Sequence, residues 1–118
     1  MNEPQNRYEN YHAHVYFNPQ TLLQAETLCR EAGQRFDVQV GRVHQKIVGP
    51  HPHWSCQLAF SSTQFSALVS WLDEHRNGLN ILIHGLTGDD LADHTDHASW
   101  LGTPQQLRLG FFRATDLS

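Results

Sequence analysis

His12 and His14 stand two residues apart in Tyr11-His12-Ala13-His14-Val15-Tyr16-Phe17. On a strand that spacing sends both imidazoles from one face, with Tyr16 beside them. Further histidines follow at 44, 51, 53, 84, 94 and 97, each close to the start or end of a strand-like segment; His75 alone stands apart. Neutral imidazole is the commonest side-chain metal ligand and titrates near neutrality. Nine histidines in 118 residues therefore point to metal or proton chemistry. Three imidazoles with open positions suit Zn, Fe(II), Cu or Ni. Two histidines and a carboxylate would make a non-haem Fe(II) oxygenase site, with Asp89, Asp90, Asp93 or Asp96 as donor. The same acids read equally as solvated loop residues, helix caps or partners that fix a histidine tautomer.

Other chemistries find no support. The chain has no Gly-Lys-Ser/Thr phosphate loop, dinucleotide fingerprint or His-Glu-x-x-His, and no Ser or Cys in a nucleophile motif. Cys29 and Cys56 lack CxxC spacing, sit at apolar positions and read as reduced core thiols. A net charge of −4, with eight scattered Lys and Arg, argues against nucleic acid or an anionic membrane as partner. No apolar run approaches the roughly 20 residues of a spanning helix, and the polar N-terminus is unlike a signal peptide. The expectation is a soluble cytoplasmic protein.

The positioning elements follow from periodicity. Residues 1–10 are polar and read as a flexible arm; 11–118 suit one domain. Residues 11–17 alternate as a strand with Ala13, Val15 and Phe17 inward. Asn18-Pro19 starts a helix that Gly33 stops. Residues 36–46 form a second strand, 48–52 a rigid turn, and 53–60 a third strand with Trp54, Cys56, Leu58 and Phe60 on one face. Ser61 and Gln64 form a capping box for a helix with Phe65, Leu68, Val69 and Leu72 inward, ended by Asn77-Gly78. Residues 79–84 are a fourth strand, 85–104 a long Asp- and Gly-containing loop able to act as a lid, and 107–112 a short closing strand.

This order predicts an α+β, ferredoxin-like βαββαβ fold, with a four-stranded antiparallel sheet ordered 4-1-3-2 and both helices on one face. With strands one and three taken to run together, His12, His14, His44, His51, His53 and His84 should meet at one end of the sheet. His94 and His97 would leave from that edge, and His75 would lie at the other end. The open face, carrying His12, His14, His53, His84, Tyr16 and Leu82, needs a ligand, the long loop or a second copy as cover. A homodimer is the expectation.

Four strings now stand in order: residues 11–17; Val48-Gly49-Pro50-His51-Pro52; His84-Gly85-Leu86-Thr87-Gly88; and Asp93-His94-Thr95 with Trp100-Leu101-Gly102. Together, over residues 11 to 102, the chain resembles the small DOPA 4,5-dioxygenase family. Proline commonly follows the strand-four histidine there, where this chain has Gly85. The resemblance implies a ferredoxin-like dimer that opens a catechol, L-DOPA or a related compound, with O2 by extradiol cleavage. The implied cofactor is non-haem Fe(II), with Zn or Ni as stand-ins in a crystal. Carried over residue by residue, it implies His14, His51 and His84 at the metal and His12, Tyr16 and His53 at the substrate. His94 would be the acid/base, with Asp93 orienting it. The rival reading is a non-catalytic dimer that binds a metal or aromatic ligand; a zinc hydrolase is a minor third. Arg42 and Arg108 could meet a substrate carboxylate but read as ordinary surface residues.

Overall fold

The alternating residues at the N-terminal end become the strand on which the sheet is centred. In the computed structural model, which describes residues 4–112, this is β1 (Asn10–Phe17). It is followed by α1 (Leu22–Arg35), β2 (Gln39–His44), β3 (Trp54–Ser61), α2 (Ser62–His75), β4 (Ile81–Gly85), α3 (Asp90–Asp93) and β5 (Ala98–Leu101). The sheet order is β2-β3-β1-β4-β5, and every neighbouring pair is antiparallel.

The expected order of the first four strands is present, but the sheet has five strands rather than four. The fifth comes from the segment expected to be loop. Ala98, Ser99, Trp100 and Leu101 pair with His84, Ile83, Leu82 and Ile81. The expected closing strand over 107–112 does not form. Residues 103–108 have no regular structure, and 110–112 make a helical turn. The strand directions also differ from expectation: β1 and β3 are antiparallel, Asn10 facing Ser61 and Phe17 facing Trp54. The start of β3 therefore lies at the end of β1, away from His12.

One face of the sheet carries the core. Ala13, Val15, Cys56, Leu58, Ile81 and Ile83 pack with Ala25, Cys29 and Ala32 of α1 and Phe65, Leu68 and Leu72 of α2. The alternation of β1 and β3 dictates this, since every second residue is apolar. Helix α2 begins with the expected capping box, the Ser61 amide donating to Gln64 Oε1 at 3.1 Å. Asn18 acts earlier than a cap would: its Oδ1 takes the amides of Gln20 and Thr21, and α1 starts at Leu22. The helix also runs through Gly33 to Arg35.

The arm before β1 is tied down by Tyr11, whose hydroxyl accepts the amides of Arg7 and Tyr8 at 2.6 and 2.7 Å. On the opposite face of the sheet Tyr16 and Leu82 are buried although neither long helix lies there. Their cover comes from the chain itself.

Candidate metal centre

Strand register places His12 directly opposite His84, with His14 two residues further along the same face of β1. His14 Nε2 and His84 Nε2 are 3.0 Å apart. The ring of His12 lies 5.8 Å from His14 and 5.5 Å from His84. The breaker-rich turn before β3 folds back over this face and brings the ring of His51 to 4.1 Å from that of His14. Helix α3 ends at His94, whose ring is 4.2 Å from His84 and 6.0 Å from His51. Five imidazoles thus meet from four segments. Their ligand nitrogens make two compact triads, His12–His14–His84 and His14–His51–His94, each with its atoms within 4.8 Å of one another. His14 belongs to both; His51 and His84, expected to join it together, fall in different triads.

Hydrogen bonds fix how several rings point. His84 Nδ1 meets the Gly85 carbonyl at 3.0 Å, and His94 Nδ1 the Asp90 carbonyl at 2.7 Å. A carbonyl only accepts, so Nδ1 carries the proton and the neutral ring offers a bare Nε2. His51 Nδ1 lies 2.7 Å from the Tyr16 hydroxyl, which burial holds in its protonated form by pushing its pKa up. Backbone or phenol partners on one nitrogen, with the other aimed inward, are the usual outer support of metal-binding histidines.

The surroundings favour the neutral form of His12, His14, His51 and His84. Burial, and then the neighbouring imidazoles, lowers the pKa of His14 well below its ordinary value. Burial lowers His51 to about 4, aided by His94, His44 and His12. Burial also dominates at His84, lowered to about 3 with the Gly85 carbonyl and Asp93 opposing and His94 and His12 assisting. His12 is lowered by burial and His94, against the pull of Asp93. A buried set of neutral nitrogen donors suits a borderline divalent transition metal.

The donor spacing fits as well. Two nitrogens each about 2.0–2.1 Å from one ion, at roughly 90–110° to each other, lie about 3 Å apart. That matches His14 and His84 at 3.0 Å.

The remaining residues of interest are placed differently. His53 is exposed, donates from Nε2 to Gln105 Oε1 at 2.9 Å and lies 5.7 Å from the Tyr16 ring, outside both triads. His97 is 2.6 Å from the Tyr8 hydroxyl. His75 stacks on Trp71 along α2. Asp93 is buried, but Thr87 occupies its carboxylate, the amide donating at 2.9 Å and Oγ1 at 2.6 Å. The partner of His94 is instead the Asp90 carbonyl. Thr87 has no chemical signature in sequence beyond its place in the string after His84. Two aromatic neighbours were equally silent: Trp100, 5.9 Å from Tyr16, and Phe112, 5.0 Å from His94.

A family model described as the Dopa 4,5-dioxygenase family matches residues 11–111, which hold all five clustered histidines. The chain belongs to that family. Among curated relatives, a DOPA 4,5-dioxygenase of Amanita muscaria is 31% identical, over 86% of this chain and 48% of that protein. An uncharacterized 21.2 kDa protein of Botryotinia fuckeliana is 28% identical, over 87% of this chain and 63% of that protein. The chain therefore spans about half to under two thirds of these longer relatives. A crystal structure from Nostoc punctiforme, itself only proposed to be a dioxygenase, is 41% identical with a TM-score of 0.88, covering 94% of this chain and 95% of that one. Among the described residues, no helix is long and apolar enough to cross a membrane.

Proposed function

We propose that this chain is an extradiol ring-cleaving dioxygenase that opens a catechol, L-DOPA or a close relative, with O2. The observation that carries the reading is the buried, neutral cluster of imidazoles on one face of a sheet, in a chain of this family. His14 and His84 form the centre of the ligand set, with His12 completing the strand-borne triad. Non-haem Fe(II) bound there would gather catechol and O2 and pass electrons between them.

The chain's own groups do the rest. His94, with Nδ1 committed to the Asp90 carbonyl, presents a bare Nε2 that can take a proton from a catechol hydroxyl. His51, steadied by Tyr16, stands across from it as a second proton carrier. Tyr16 and Trp100 give the site aromatic walls suited to a planar ring. Burial of His14, His51 and His84 keeps bulk water from the reacting atoms. The α+β arrangement with both long helices on one face supports a ferredoxin-like fold, and the uncovered edge of β2, with exposed Val40, supports a homodimer.

Protein reconstituted with Fe(II) should consume O2 in the presence of L-DOPA and release a yellow semialdehyde. Absence of O2 uptake across a panel of catechols, with metal still bound, would favour the non-catalytic metal-binding reading. The low exposure of the centre is the one feature that speaks for that alternative.

A further inference from the structure

His14, His51 and His84 are only 2–6% exposed, so a substrate that reacts beside them needs part of their cover to move. The cover has two rigid sides, the sheet itself and the turn holding Pro50 and His51. Its third side is the strap over residues 103–112, which lacks regular structure until its last turn. Among the described residues, three bonds from positions 103–108 tie the strap to the rest of the chain. The Thr103 amide donates to Asn80 Oδ1 at 2.8 Å, Gln105 Oε1 accepts from His53, and the Arg108 amide donates to the Pro50 carbonyl at 2.7 Å. Gln106, Arg108, Leu109 and Gly110 face solvent. Segments with few buried contacts open at lower cost than the sheet they cover.

At the end of this strap the Phe112 ring is 7% exposed and sits 5.0 Å from the ring of His94, tilted by 42°. A benzene ring against the imidazole assigned to proton transfer is the position a catechol ring must take. We propose that Phe112 fills the substrate's ring seat as an internal stand-in, and that the strap lifts to exchange Phe112 for an aromatic ligand. The proposal rests on the ring-cleavage reading and deepens it, by naming where the ring binds and what must leave first. Apparent affinity is then reduced by the fraction of molecules whose seat is open.

The test is binding of 4-nitrocatechol, followed by its visible absorbance, to the full chain loaded with Fe(II) under argon. For the natural sequence the observed binding rate should level off as probe concentration rises, because strap opening precedes binding. Phe112→Ala should abolish the plateau and bind the probe at least about tenfold tighter, whereas Leu109→Ala, on the outer side of the strap, should behave like the natural chain. A rate that climbs linearly in the natural chain, or a Phe112→Ala protein that binds no tighter, overturns the proposal and leaves the ring-cleavage reading standing. Failure of the probe to bind the natural chain and both variants overturns the two together. If Phe112→Ala does not fold, the rate plateau of the natural chain still decides.

Discussion

His84 aims its Nε2 at the Nε2 of His14 across 3.0 Å, while the carbonyl of the next residue, Gly85, holds its Nδ1–H. With its proton on Nδ1, His84 accepts at Nε2 from His14 Nε2–H, so two strands aim their ring nitrogens at one point and the backbone of one strand supplies the orienting bond. An ion bound by both would take the place of the shared proton and replace one hydrogen bond with two ligand bonds.

The first expected outcome concerns metal content. His14→Ala removes the one ligand common to both triads and should lower affinity for a divalent metal by at least about 100-fold, beyond the 10–100-fold typical of losing an outer partner. His75→Ala, on the helix side against Trp71, should bind metal like the natural chain. Titration calorimetry with Zn, or elemental analysis after dialysis, reads both. Equal losses would contradict the geometry.

A second outcome follows from the lowered pKa values. Above about pH 6.5 His51 and His84 are neutral whether the chain is folded or not, and acid costs the fold nothing at these positions. Below it the unfolded chain takes up protons that folded His51, lowered to about 4, and His84, lowered to about 3, still refuse. Stability of the metal-free protein should therefore fall as pH drops from 6.5 toward 4. At pH 5 each of the two contributes a loss on the order of 2 kcal/mol. Urea melts at several pH values check this, and His84→Leu should flatten the slope. A stability that stays level down to pH 4.5 would be inconsistent with buried neutral rings.

What the sequence disclosed was the set of side chains more than the route that brings them together. Period-two alternation placed His12, His14 and Tyr16 on one face, and short connections set the order of the first four strands. Parallel β1 and β3 would put His53 beside His12; the pair is antiparallel, and His53 lies at the far end, where β3 starts. His51 reaches the cluster anyway because the Val48-Gly49-Pro50 turn doubles back, and no periodicity reports such a turn. β5 was hidden for a related reason. Four residues that pair with one neighbouring strand are too few to show alternation against the surrounding polar segment.

Tyr16 offers a way to separate the two triads. Its hydroxyl bonds His51 Nδ1 and, among the described residues, is bonded to none of His12, His14 and His84. Tyr16→Phe should leave metal content unchanged if the ion rests on His12, His14 and His84. Turnover of a catechol should then drop roughly 10–100-fold, the usual cost of losing an orienting partner. A fall in metal affinity comparable to that of His14→Ala would instead move the ion to the triad that contains His51.

The ring of Tyr8 occupies the space above Gly85. A Cβ at Gly85 would collide with the Tyr8 ring, whose hydroxyl bonds His97 Nδ1 at 2.6 Å and whose face packs near Tyr11. Gly85→Ala should therefore destabilise by about 1–3 kcal/mol through overpacking. Tyr8→Ala also costs stability by itself, since it gives up the bond to His97 and the contact with Tyr11. With the ring gone, however, the three atoms nearest the added methyl go with it, so the double variant should be more stable than the sum of the two single losses predicts, by about 0.5–3 kcal/mol. Gly85 carries no side chain toward the imidazole cluster, and the collision lies against Tyr8, so metal affinity should survive in all three proteins. Thermal melts give the coupling and calorimetry the affinity. Additive losses would mean that Tyr8 does not occupy the space above Gly85.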